Sequence, residues 1–296
     1  MLSLFMVFSV CAEPIEKRFL SEVLGDAYID YSITFSPAGD AFYFARAEGV
    51  WGKKNKNAIY YSSRENNQWS EPVVASFSGV YDDSDPHVSQ DGKYLYFVSE
   101  RPSEDGNGSP DIWYVQKDTM GDWGQPVRLP EPVNSKGMEA SPRTTLNGDL
   151  YFVSDRKGSL GQADIFYAVV QDKQFQEVKN LGSIINSPTG EWNFDINPQA
   201  TILIFEASHR VQNLSVSGDL YISFKLKNVW TEPQNIVELN TKKSDLYPQL
   251  MSDHVLYYSS NGYEVDTSPK IYSVDARALI EQYKETAVSQ VPMKDQ

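Results

Sequence analysis

Residues 80–101 read VYDDSDPHVSQDGKYLYFVSER, and residues 137–156 read GMEASPRTTLNGDLYFVSDR. In both, an acid is followed three residues later by proline, then by a turn with glycine, an apolar LYFVS run and an arginine. Repetition of this length marks a fold built by copying one supersecondary unit. With the proline slot as anchor, Pro86 and Pro142 are joined by Pro248 in SDLYPQLMSDHVLYYSS. Ile33 fills the slot in DYSITFSPAGDAFYFA, and Phe194 fills it in EWNFDINPQATILIFEA. The spacings are 53 (33 to 86), 56 (86 to 142), 52 (142 to 194) and 54 (194 to 248) residues.

Each unit carries four short segments. A lead-in to a turn (FSPAGD, VSQDGK, TLNGD, INPQAT) precedes an aromatic run (AFYFA, YLYFVS, LYFVS, ILIFEA, VLYYSS). A third segment starts at Ala58, Asp111, Asp164, Asp219 and Lys270, and a fourth reads WSEPVV, WGQPVRL, FQEVKNL and WTEPQNI. Runs rich in Tyr, Phe and Trp favour strands, and no stretch between them has a helical period, which excludes a parallel α/β fold. The pattern predicts an all-β chain forming a single β-propeller of five four-stranded blades over residues 13–275. The fifth unit stops at its third strand. The segment KRFLSEV around Leu20 stands where the other units place a fourth strand, so it is expected to complete the last blade and close the ring. DARALIEQYKE then has an apolar set at helical spacing (Ala276, Leu279, Ile280, Tyr283), predicting a short C-terminal helix on the propeller rim, and TAVSQVPMKDQ reads as a disordered tail.

Composition narrows the function. The formal net charge is −14, and no basic block exists that could neutralise phosphates or an anionic membrane. Residues 1–12, MLSLFMVFSVCA, are apolar and uncharged, too short to span a bilayer but suited to a secretory signal cleaved before Glu13. Lipid anchoring at Cys11 is disfavoured by Val10. Cleavage would leave a mature chain without cysteine, periplasmic or secreted, with no membrane-spanning segment.

The units resemble TolB-type, WD-repeat-like propeller repeats of bacterial envelope proteins. The resemblance lies in PHVSQDGKYLYFVS (86–99), SDRKGSLGQADIFYA (154–168) and LGSIINSPTGE (181–191), the last closest to propellers fused to OmpA-type domains. It covers about residues 15–275 and implies binding or scaffolding in the cell envelope, with a protein, peptide or glycan as partner.

Catalytic signatures are sparse. His87, His209 and His254 lack metal-ligand spacing, and no nucleophile elbow occurs. The loop SEDGNGSPD (103–111) reads as a solvated turn and lacks the ligand register of an EF-hand. A carboxylate does stand three residues before every anchor: Asp30, Asp83, Glu139, Glu191 and Asp245. Inner strands of a propeller line its channel, so these acids are expected around one mouth, with Arg101 and Arg156 nearby. Either they cap turns and pair with arginines as part of the repeat, or they form a ligand site there. The second case leaves room for a divalent cation, although no cofactor is required. The leading expectation is a non-catalytic binding or scaffold module. Beside it stand a five-bladed glycoside hydrolase using two mouth carboxylates and a metal-dependent lactonase-like site.

Overall fold

A computed structural model of the chain describes residues 17–50, 53, 56–103, 108–172, 174–215, 217–252, 254–262 and 268–290. The expected signal segment 1–12, its cleavage point and Cys11 lie outside these residues, as do part of the loop 103–111 and residues 291–296.

Each sequence unit folds as one antiparallel sheet, and five sheets make five blades. The inner strands are Ile29–Phe35, Asp83–Val88, Glu139–Thr144, Gly190–Ile196 and Asp245–Leu250. The aromatic runs form the second strands (Ala41–Glu48, Tyr94–Ser99, Leu150–Ser154, Ile202–Ser208, Val255–Ser260). The third strands are Lys56–Glu65, Asp111–Gln116, Asp164–Gln171, Asp219–Leu226 and Lys270–Asp275. Outer strands are short except in the third blade, where Gln174–Asn180 spans seven residues. In the first and fourth blades the outer strand is split into two pieces, each paired with the third strand.

The last blade takes its outer strand from the other end of the chain. Lys17 lies opposite Ser273 and Arg18 opposite Tyr272, as the sequence predicted, but the strand ends before Leu20 and the rest of the KRFLSEV segment turns into a short helix, Ser21–Leu24. Alternation of side chains along a strand gives each blade two apolar faces, so the core is divided among blade interfaces. One cluster joins Ile59 of the first blade to Leu95 and Phe97 of the second. Another joins Ile112 to Leu150 and Phe152, and a third joins Val153 and Ile165 to Phe194 and Phe205. Leu220 meets Leu256 and Tyr258 at the fourth interface. The fifth cluster closes the circle, with Ile271 of the last blade against Ile33, Phe42 and Phe44 of the first, and Phe19, Leu20 and Leu24 packed in.

The helix Arg277–Gln290 buries Leu279, Ile280, Tyr283 and Ala287 against the cluster between the fourth and fifth blades. It runs five residues into the stretch read as disordered, because burial of Ala287 extends the apolar stripe by another turn.

Every inner strand has a β-bulge at the same place, between residues 31/34, 84/87, 140/143, 191/194 and 246/249. Ser32, Asp85, Ser141 and Tyr247 take positive φ there (51°, 49°, 48° and 52°). A bulge re-aims side chains at the cost of local strain, and here it falls at the residue before each anchor.

Candidate functional site

The five repeated acids start the inner strands, and all are buried: Asp30 is 4% exposed and the other four 0%. Each carboxylate is enclosed by its own blade and the connector leading into it. Glu139 accepts from Ser135 N (2.8 Å), Ser135 Oγ (2.6 Å), Ser154 Oγ (2.8 Å) and Arg156 Nη2 (2.9 Å). Glu191 repeats this with Ser187 N (2.9 Å), Ser187 Oγ (2.6 Å) and Arg210 Nη2 (2.8 Å). Asp83 accepts from Ser78 Oγ, Ser99 Oγ and Arg101 Nη2 at 2.6–2.8 Å. Asp30 takes a two-point contact from Arg46 (2.6 and 2.8 Å). Asp245 is held by Thr241 N (2.6 Å), Thr241 Oγ1 (3.1 Å) and Ser260 Oγ (2.5 Å). Gly262 occupies the chain position that carries arginine in the second and third blades.

The arginines come from the same blade as their acids. Each guanidinium lies over rings of the second and third strands: Arg101 over Phe97 and Trp113, Arg156 over Phe152 and Phe166, Arg210 over Phe205 and Tyr221. A planar, always charged group suits this combined ion-pair and stacking site better than an ammonium would. The amides preceding the acids also have a role. Asn134 accepts from Ile112 N (2.8 Å) and donates to Ile112 O (2.9 Å), and Asn186 and Asn240 do the same to Ile165 and Leu220. Each amide thus pins the connector into one blade onto the third strand of the blade before.

Burial raises the carboxyl of Asp245 to about 7 against hydroxyl and N–H donors that favour the charged form. A neutral amide should therefore replace Asp245 cheaply and Glu139 poorly. We expect Glu139→Gln to cost about 1–3 kcal/mol in urea unfolding at pH 7, because it leaves a buried guanidinium short of its counter-charge. Asp245→Asn should fall within ~1 kcal/mol of wild type. Equal losses for both would contradict this difference.

Two tiers of inner-strand residues lie beyond the acids, on either side of the anchor: Ser32, Asp85, Ser141, Asn193 and Tyr247, then Thr34, His87, Arg143, Asp195 and Gln249. They join neighbouring blades around the channel. Arg143 Nε donates to Asp195 (3.1 Å), which also accepts from Leu250 N (2.8 Å) and Gln249 Nε2 (3.2 Å). Ser141 reaches Asp85 and Asn193, each at 3.2 Å. Thr144 N donates to His87 Nε2 (2.9 Å), which places the ring proton on Nδ1. Burial and the nearby Arg143 hold His87 well below its usual pKa. Asn193 donates to Glu206, whose carboxyl burial pushes up to about 8, while Asp195 rises to about 6 for the same reason and Arg143 opposes the shift. Sequence reading missed this cluster, although its signal was present in polar residues flanking the anchor in nearly every repeat. Among the described residues no group of three or more His, Cys, Asp or Glu is arranged to hold a metal ion.

Above the buried acids, the connectors and the loops between second and third strands form the mouth face. It exposes Tyr28, Val80 (75%), Tyr81, Leu160, Val211 (99%) and Leu214. His209 and Arg210 begin the same fourth-blade loop.

No protein-family model matches the chain, and no curated protein matches it. Solved structures do. The GH43 endo-arabinanase from Bacillus licheniformis is 12% identical, with 84% of this chain and 94% of that chain covered at a TM-score of 0.54. The alpha-L-arabinofuranosidase from Lactobacillus brevis is 14% identical (83% and 90% covered, TM-score 0.51). TolB from Acinetobacter baumannii is 16% identical at a TM-score of 0.49, and this chain matches 83% of itself to 54% of that one. At such identities the likeness concerns the propeller fold alone.

Proposed function

We propose that the protein is a non-catalytic, TolB-like binding propeller, exported to the periplasm or secreted, which receives a protein partner on its mouth face. The carrying observation is the contrast on that face: its carboxylates are buried and engaged within the fold, while apolar side chains stand exposed above them. An exposed apolar set rimmed by polar loops is what a protein interface presents. Arg101 and Arg156, expected as ligand contacts, serve the fold in this reading, and the acids set the height and tilt of the loops.

Glycoside hydrolysis is favoured by one observation. Glu206 keeps its proton near neutral pH while Asp195 releases its own lower, the division of labour that an acid and a base require. Both are buried in the channel, at 4% and 3% exposure, where a sugar chain would have to displace the inter-blade bonds.

The test pairs two measurements on purified protein. Val211→Asp with Leu214→Asp should abolish photo-crosslinking to its partner in envelope fractions without changing the melting temperature. No α- or β-linked oligosaccharide of a broad panel should be cleaved. Turnover of any panel member that Glu206→Gln abolishes would overturn the proposal in favour of hydrolysis.

A further inference from the structure

We propose a second site: the groove between the second and third blades binds an extended, basic, proline-containing peptide. The groove has a volume of about 920 Å³. It includes the turns that join inner to second strands, so most of it lies at the end away from the mouth, while Pro130 and Glu131 start the connector into the third blade. Tyr94, Tyr96 and Tyr114 of the second blade line it together with Phe175 of the third, and Asp91 and Glu131 contribute carboxylates.

Three observations select the occupant. The tyrosine rings lie 5.9–6.3 Å apart and are inclined to one another by 35°, 43° and 67°. Such rings make ridges and clefts that take pyrrolidine rings edge-in, whereas a pyranose stacks best on a flat ring face. None of the three hydroxyls bonds to another described residue. Burial raises the Tyr96 phenol, with Tyr94, Tyr114 and Asp91 adding to the shift, so the Tyr96 hydroxyl stays a donor. A polyproline II chain makes no internal hydrogen bonds and offers free carbonyls to such donors. The third observation is charge. Arg128 in the lining is committed to Asp111 at 2.6 and 2.9 Å, and Lys93 forms only an exposed pair with Asp91 at 3.4 Å. Asp91 keeps Oδ1 on Ser89 Oγ (2.7 Å) and Lys93 N (3.1 Å), so its solvent-facing Oδ2, together with Glu131, is what attracts lysine or arginine.

The experiment is a fluorescence anisotropy titration with a labelled nine-residue probe repeating Pro-Pro-Lys. Parallel titrations use a Pro-Pro-Asp probe and a panel of neutral oligosaccharides. The basic probe should bind saturably and the acidic one should not. Replacing all three tyrosines by phenylalanine removes only unused hydroxyls, so it should leave the melting temperature unchanged and weaken binding by about tenfold or more. Asp91→Asn should weaken it by about threefold and flatten its salt dependence. The proposal falls if the basic probe does not saturate, if the triple variant binds it as tightly as wild type, or if an oligosaccharide takes the groove instead.

Discussion

Deletion of residues 13–24 is expected to lower the melting temperature by roughly 10 °C or more, or to leave the protein insoluble. The deletion removes the outer strand of the last blade, where Lys17 and Arg18 pair with Ser273 and Tyr272. It also removes Phe19, whose ring meets Phe35, Phe42 and Tyr257 edge-on at 5.8, 5.5 and 5.0 Å. Leu24, 5% exposed, leaves with it. Losing Phe19 and Leu24, with the half-buried Leu20 and Val23 beside them, costs about 5 kcal/mol or more by area alone, a large part of the roughly 5–15 kcal/mol that holds a typical domain. The bared strand Lys270–Asp275 would present unpaired backbone groups, a template for association. Differential scanning fluorimetry and light scattering check both consequences, and a truncated chain that melts with wild type would show that the other four interfaces suffice.

Arg143→Ala should be the most damaging single substitution in the channel, at about 3–5 kcal/mol in urea unfolding near neutral pH. The guanidinium is 2% exposed and pairs with the equally buried Asp195. Its removal leaves a cavity and an unbalanced charge together. The loss should depend on pH, and the sign follows from Asp195. Its folded pKa, already raised to about 6, rises further without the arginine. A carboxyl that holds its proton more tightly when folded than when unfolded loses stability as pH rises through that folded value. Wild type stops losing stability near pH 6 and the variant goes on losing it, so the gap should widen as pH rises above 6 and stay constant between about pH 6 and 4. Arg143→Met, which fills the space without the charge, should show the same pH dependence with a smaller offset. A gap independent of pH would mean that the cavity alone sets the cost.

The blades could be read from the sequence because turn residues and aromatic runs recur at fixed offsets from an anchor, and such offsets survive where identity does not. The acid in front of each anchor was legible for the same reason. Its arginines were legible in only two blades. The partner lies 16 residues after the acid in the first blade, 18 in the second, 17 in the third and 19 in the fourth. A long side chain can reach one carboxylate from several chain positions, so physics fixes the contact while sequence spacing does not. Arg46 reaches Asp30 from the opposite residue of the neighbouring strand, whereas Arg210 reaches Glu191 from the loop beyond. The channel tiers escaped because the bulge, a local backbone event, turns residues on both sides of the anchor toward the axis. The tyrosine groove depends on how two blades stack, and no pattern within one repeat encodes that.

The seam of the ring also orders events in time. Lys17 and Ser273, which meet in the last blade, are 256 positions apart. The outermost strand of that blade is synthesised first and must wait for the rest of the chain before it has a neighbour. Four blades can stack as an open arc while it waits, since each is local in sequence. The entropy of bringing such distant segments together grows only with the logarithm of their separation, so the delay is kinetic far more than thermodynamic. This two-residue ladder closes the ring without a peptide connection across it, so heat, a protease or a pulling force should part the ring there first. Hydrogen exchange at residues 271–274 would then time each opening.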